Sequence, residues 1–225
     1  MLKVKICGLM REDDVRMCIT HGTDIIGFVV GYPKYVPWDI DAQKAKKLIS
    51  LVKGSSAAGC IVTGGAPEKI IETALETEPD YVQLHYGESL EDTAYIANKL
   101  KPCGIKIIKT LFPDTPNLEK TAAEFCKLGV YALLFDPRTP ENAAAGGGGA
   151  DISVYTKLKA AADRPVILAG GITPENAAEL VCKSGACIID LMTGVESRPG
   201  VKDEKKVKSL FKALENIKNE RSGKI

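Results

Sequence analysis

A chain of 225 residues with 45% apolar side chains can bury about 70% of the surface its unfolded form exposes, so a real hydrophobic core is available. Thirty Lys and Arg against twenty-nine Asp and Glu leave a formal charge of +1, so no global field favours nucleic acid or a membrane surface. That balance suits an enzyme acting on a small molecule. The opening "MLKVKICGLM" lacks the apolar core of a signal peptide, and no run approaches the roughly 18 consecutive apolar residues of a membrane span, so a cytoplasmic protein is expected.

Apolar runs of strand length recur along the chain, each followed by a stretch of helical periodicity, and this alternation implies βα units on a parallel sheet. In order the strand candidates are "LKVKIC", "DIIGFVV", "AAGCIVT", "DYVQLH", "IKIIKT", "YALLFD", "PVILAG" and "ACIIDL". Most are rich in β-branched residues and apolar on both faces, as parallel strands buried on both sides must be.

The intervening stretches place apolar residues on one helical stripe: Val15, Cys18, Ile19 and Gly22; Ala45, Leu48, Ile49 and Val52; Ile70, Ile71, Ala74 and Leu75; Leu90, Ala94, Ile96 and Ala97. Leu118, Ala122, Phe125 and Cys126 serve the fifth unit, and Ala177, Leu180 and Val181 the seventh. The last helix aligns Val207, Leu210, Phe211, Leu214 and Ile217, and its lysines read as a solvated face. "SLED" at 89–92 reads as a capping box, and "TPEN" at 173–176 puts Pro174 in a first helical turn. Eight such units without an intervening linker predict a (β/α)8 TIM barrel over a single domain, residues 1–225.

Seven cysteines, at 7, 18, 60, 103, 126, 182 and 187, form no C-x-x-C pair and have no histidine at metal spacing, so neither a disulfide framework nor a metal site is expected. Those in "AAGCIV", "AEFCKL" and "GACIID" read as inert packing. Cys7 differs, because it stands where the first strand runs out into glycine. In this barrel, chemistry belongs at strand C-termini, and there the chain offers Cys7 on the first strand, Gln83 and His85 on the fourth, Asp136 on the sixth and Asp190 on the eighth.

"LAGGIT" supplies Gly170 and Gly171 between the seventh strand and a helix, where bare backbone N–H groups can approach an anion. "MTGVES" supplies Thr193 and Gly194 after the eighth. Glycine loops in both places point to a phosphate. Gln83 and His85 fall on one side of their strand, facing the pocket. The glycine-rich "GGGGADIS" looks like a flexible cover for substrate.

Taken together these residues resemble the phosphoribosylanthranilate isomerase family, from the first strand to the last helix. "KICGL", "IIGFVV", "VQLH", "PVILAGGITPENAAE" and "GVESRPGVKD" carry the likeness, the last two with high specificity in combination. The resemblance implies an Amadori rearrangement within tryptophan biosynthesis, needing no cofactor: an N-linked phosphoribosyl aminoaldose becomes a 1-deoxyribulose phosphate aminoketose. It implies that Asp136 is the acid that protonates the ribose ring oxygen and Cys7 the base that removes the C2 proton. Gly170, Gly171, Thr193 and Gly194 would then hold the phosphate. Family members include single chains and dimers, so a monomer or homodimer with a small phosphorylated substrate is expected, and neither nucleic acid nor membrane as a partner.

Four segments depart from the family pattern. After the second strand the family usually carries S-x-R-x-V/I-S, whose arginine helps meet the anthranilate carboxylate, whereas this chain reads "GYPKYVPWDI". Lys34 is the charged candidate to take that place, with Tyr35 and Trp38 beside it. "CIVTGGAPE" stands for V-F-V-N, Tyr86 is an extra residue after His85, and Ser153 replaces the aspartate of F-D-W. Two alternatives therefore stay open: a related aldose–ketose isomerase with a different amine, and a non-catalytic barrel that binds phosphate esters.

Overall fold

The computed structural model describes residues 1–139 and 149–222. Its strands are β1 (Lys3–Ile6), β2 (Ile25–Val30), a two-residue β3 (Asp39–Ile40), β4 (Ala58–Thr63), β5 (Tyr81–Leu84), β6 (Lys106–Leu111), β7 (Ala132–Phe135), β8 (Val166–Ala169) and β9 (Ile188–Leu191), then a short pair, β10 (Glu196–Arg198) and β11 (Val201–Lys202). The helices are α1 (Glu12–Thr20), α2 (Ala42–Val52), α3 (Pro67–Thr77), α4 (Leu90–Leu100), α5 (Leu118–Lys127), α6 (Ile152–Ala161), α7 (Ala177–Ser184) and α8 (Glu204–Ser222). Setting β3, β10 and β11 aside, the strands pair in parallel around a ring, which closes because β1 pairs with both β9 and β2. The fold is the expected (β/α)8 TIM barrel, and all eight anticipated strands form it.

Alternation within each strand divides its residues between two cores. Outward residues such as Val4, Ile6, Phe28, Ile61 and Leu133 meet the helix stripes, where Ala45, Leu48, Ile49 and Val52 of α2 are all buried. Inward residues, including Ile25, Cys60, Tyr81, Ile108, Leu134 and Ile167, fill the barrel itself. A third cluster, Cys7, Val29, Tyr32, Val36, Trp38 and Val62, lies at the C-terminal mouth. A barrel filled from below thus leaves room at its top.

Helix starts follow local chemistry. Ser89 and Asp92 form the anticipated capping box of α4, and Asp151 caps α6 by accepting from the amides of Ser153 and Val154. α7 begins later than expected, at Ala177, so Pro174 lies in the preceding turn. There the Asn176 side chain accepts from the Thr173 amide at 2.8 Å and donates to the Gly171 carbonyl at 2.9 Å. On α4 Ile96 is buried as expected, with Leu90 and Ala97 packed against the same core, and Thr93 and Leu100 join the buried seam in place of Ala94. Cys187 is exposed rather than packed, since it precedes β9 instead of belonging to it.

The loop after β2 also differs from the sequence reading. It returns to pair β3 with β2, Val29 opposite Asp39 and Val30 opposite Ile40. Three of the four glycines in "GGGGADIS" lie outside the described residues, and the cover expected of that stretch lies there with them. Among the described residues no helix is long and apolar enough to cross a membrane.

Candidate active site

All eight barrel strands run the same way, so their C-terminal ends share one mouth, occupied by a cavity of about 780 Å³ counted with its opening. Period-2 alternation aims the reactive side chains into it. Cys7 continues the inward face of Lys3 and Lys5, His85 that of Tyr81 and Gln83, Asp136 that of Ala132 and Leu134, and Asp190 that of Ile188.

Beneath Cys7 the buried Lys5 ammonium lies 2.7 Å from Asp190 Oδ2. Lys5 stays charged: burial works against the ammonium, but Asp190 and the neighbouring thiols outweigh it. Burial, helped by the Asp190 charge, pushes the Cys7 thiol above its ordinary range, against the charge of Lys5 and its hydrogen bond to the sulfur, which pull it down. The thiol has room only because its neighbour on β2 is a glycine. A Cβ on Gly27 would fall 2.8 Å from Cys7 Sγ and 3.1 Å from Cys7 Cα. Gly27→Ala is therefore expected to displace the sulfur and lower turnover by about 100-fold with little change in substrate binding, which steady-state kinetics will check.

Across the cavity Asp136 is 2% exposed, and its amide is tied to the Leu111 carbonyl at 3.2 Å. Arg138 grips the carboxylate with a fork: Nε donates to Oδ1 at 3.1 Å, Nη2 to Oδ2 at 2.9 Å, and the Arg138 backbone N–H to Oδ1 at 2.9 Å. Burial alone would raise the Asp136 pKa, but the Arg138 hydrogen bond, the adjacent His85 and the guanidinium charge hold it below the usual carboxylate range.

His85 stands on the other side of Asp136. Gln83 Nε2 at 2.8 Å and Thr110 Oγ1 at 3.0 Å are both placed to donate to its Nδ1, which leaves the ring proton on Nε2, 3.7 Å from Asp136 Oδ2. Burial lowers the His85 pKa from 6.5 to about 4, with Asp136 opposing, so the imidazole is neutral at pH 7. Between those two values the unfolded ring binds a proton that the folded ring refuses, so His85 makes stability fall as pH falls. The loss is expected to reach about 3 kcal/mol across the window, and urea unfolding of wild type against His85→Asn will show it as the extra slope of wild type over the variant.

The anion loops lie on the far side of the mouth. Gly170 and Gly171 sit consecutively at φ 94° and 64°, a conformation other residues rarely hold, and Asn176 fastens the turn from below. The β9 loop packs directly onto this one, where a Cβ on Gly194 would fall 2.0 Å from the Ile172 carbonyl oxygen. No larger residue fits between the loops. Thr193 and Gly194 line both the main cavity and the groove that continues outward from it past Glu175 and Lys206.

Two buried ion pairs brace the walls. Glu88 and Lys109 meet at 2.7 Å, and Glu88 also accepts from the amides of Gly65 and Tyr86, which ties the loops after β4 and β5 to β6. Glu196 meets Lys202 at 2.7 Å and accepts the indole N–H of Trp38 at 3.0 Å, which fixes the loop after β2 against the β10–β11 pair. Among the described residues no three His, Cys, Asp or Glu side chains are grouped as a metal ion would need.

The cavity thus brings together Cys7, Gln83, His85, Asp136, Gly170, Gly171, Asp190, Thr193 and Gly194. Lys34 is a correction. It is exposed and does not line the cavity, because the loop from Gly31 turns the apolar Tyr32, Val36 and Trp38 inward and leaves Lys34 and Tyr35 on the outside. Arg138, which the sequence reading passed over, lines the cavity instead. Its only local signal is a position two residues beyond the strand-end aspartate in "FDPR".

The family described as N-(5′-phosphoribosyl)anthranilate (PRA) isomerase matches residues 4–213. The N-(5′-phosphoribosyl)anthranilate isomerase of Rhodospirillum rubrum is 35% identical over 217 residues, covering 94% of this chain and 96% of its own. That of Halobacterium salinarum is 32% identical over 206 residues, covering 90% and 91%. The crystal structure of the Thermotoga maritima phosphoribosyl anthranilate isomerase superposes with a TM-score of 0.81 at 28% identity, over 96% of this chain and all of that one. A phosphoribosyl anthranilate isomerase in complex with reduced 1-(o-carboxyphenylamino)-1-deoxyribulose 5-phosphate superposes at 0.78 with 26% identity. With a matching barrel, a matching family pattern over nearly its whole length and relatives of equal size, the chain belongs to the N-(5′-phosphoribosyl)anthranilate isomerase family.

Proposed function

We propose that this protein catalyses the Amadori rearrangement of N-(5′-phosphoribosyl)anthranilate to 1-(2-carboxyphenylamino)-1-deoxyribulose 5-phosphate, the isomerase step of tryptophan biosynthesis, on one barrel domain spanning residues 1–225. One observation carries the reading: a thiol at the end of β1 and a carboxyl at the end of β7 share a single cavity with the paired glycine loops after β8 and β9. The backbone amides around Gly170, Gly171, Thr193 and Gly194 hold the phosphate, and that remote grip positions the reacting carbons.

Asp136 gives its proton to the ring oxygen, the C1–O bond breaks and the nitrogen lone pair makes an iminium. Cys7, as thiolate, then removes the C2 proton, and the C–H electrons form the C1=C2 bond while the iminium is neutralised. The resulting enolamine tautomerises to the aminoketose. Gln83, His85 and Asp190 line the walls around the sugar. A cytoplasmic location accompanies this role. Assembly as a monomer or homodimer belongs to the same proposal, supported by the Thermotoga maritima relative, described as a dimeric enzyme from which monomers were generated.

The test is turnover of phosphoribosylanthranilate, followed through loss of its fluorescence. No turnover by wild type would sink the reading. The apolar, arginine-free loop of Tyr32, Val36 and Trp38 favours a second one, a sister isomerase with a different amine. A substrate panel varied at the amine decides between them: preference for a compound other than the anthranilate adduct selects the second.

A further inference from the structure

Arg138 is the only lysine or arginine lining the cavity among the described residues, and in this structure it is spent on Asp136. A carboxylate whose two oxygens accept from one guanidinium is a poor proton donor. The isomerase reading above, on which this inference rests, nevertheless requires Asp136 to donate. The fork therefore holds the acid in the wrong state, and something in the substrate must draw the guanidinium away.

Two anions arrive with that substrate. The phosphate is met by the glycine loops, which leaves the aryl carboxylate at the other end of the molecule. A guanidinium fork fits one carboxylate as well as another, so an exchange of partners exposes no unpaired charge. The two side chains also differ in freedom. Asp136 is anchored through the Leu111 carbonyl and 2% exposed, whereas Arg138 is 18% exposed, so the arginine is the member able to swing. Once it leaves, Asp136 still accepts from the Arg138 backbone N–H and lies beside the neutral His85 imidazole. Asp190 on β9 and Cys7 on β1 are the other charged or ionisable groups facing the guanidinium, and Asp190 already has Lys5.

We propose that Arg138 is the specificity-determining residue of this site: it takes the aryl carboxylate of the substrate and, in turning to it, releases Asp136 to take up a proton from water and then give that proton to the ring oxygen as the acid. The substrate thereby switches on the group that attacks it, and a ligand without the carboxylate fails to do so. A ligand moves such a balance only by its preference for one arrangement, and here the preference is the new ion pair.

The experiment compares wild type, Arg138→Met and Arg138→Lys on the phosphoribosyl adducts of anthranilate and of aniline, the second lacking only the carboxylate. Wild type is expected to favour the anthranilate adduct by about 100-fold in kcat/KM, and Arg138→Met to lose most of that preference. The decisive arm is the aniline adduct. With no clamp left on Asp136, Arg138→Met turns it over faster than wild type does, a gain that a merely structural arginine would not produce. Arg138→Lys keeps the charge without the fork and falls between the two, and thermal unfolding checks that both variants are folded. Equal slowing of both substrates, or unchanged preference in both variants, overturns the proposal. So does a lost preference for phosphorylated over dephosphorylated substrate, which would assign the arginine to the phosphate. Wild type inert toward both adducts is a different result, which removes the activity reading itself and this inference with it.

Discussion

Asp136→Asn and Cys7→Ala each lower kcat on phosphoribosylanthranilate by about 1,000-fold, while KM stays within about threefold, because both groups act on bonds that change only in the transition state. The two losses differ in kind. Asparagine keeps the shape of Asp136 and its contact with the Arg138 amide but has no acidic proton for the ring oxygen, so ring opening slows. Alanine at position 7 leaves ring opening intact and slows removal of the C2 proton. Deuterium at ribose C2 separates them: the isotope effect on kcat grows in Cys7→Ala and stays small in Asp136→Asn. Turnover by Cys7→Ala within threefold of wild type would defeat the assignment of the thiol as base.

Lys5→Met produces the largest expected loss of stability. Lys5 is fully buried and Asp190 is 9% exposed, so removing the ammonium strands a carboxylate in the barrel interior at a cost of about 3–5 kcal/mol. The penalty shrinks toward acid pH, where the unpaired carboxyl takes up a proton. Lys5→Met/Asp190→Leu recovers most of the stability, since a buried pair exchanged for apolar side chains is close to neutral. Urea unfolding of the single and double variants checks both points. Catalysis follows a different course: the Lys5 charge also opposes the upward shift of the Cys7 thiol, so both variants move the limb of the pH–rate profile on which that thiol loses its proton to higher pH. A limb left in place would show that Lys5 serves the fold alone.

The parts legible in the sequence are those fixed by short-range geometry. Strands buried on both faces announce themselves by composition, and period 2 then aims Cys7, His85, Asp136 and Asp190 inward without further information. Gly170 and Gly171 are legible because few other residues hold their backbone. Lys34 and Arg138 show where this runs out. Lys34 stands in sequence beside the place of a missing arginine, but the direction of a loop side chain is set by where the chain goes next, and here it goes into β3. Arg138 enters the cavity through a turn built by its own hydrogen bonds to Asp136, a contact with no periodic signature. The charge lost from one loop and the charge gained by another are far apart in the chain and meet only in three dimensions.

Trp38 is the only tryptophan of the 225 residues. Its indole forms part of the cavity wall while its N–H is pinned to Glu196, so the ring neither drifts into solvent nor turns over. All indole emission from this protein therefore originates at the wall of the cavity. An aromatic ligand settling there alters that emission directly, and the molecule carries a built-in optical gauge of its own occupancy, with no label attached.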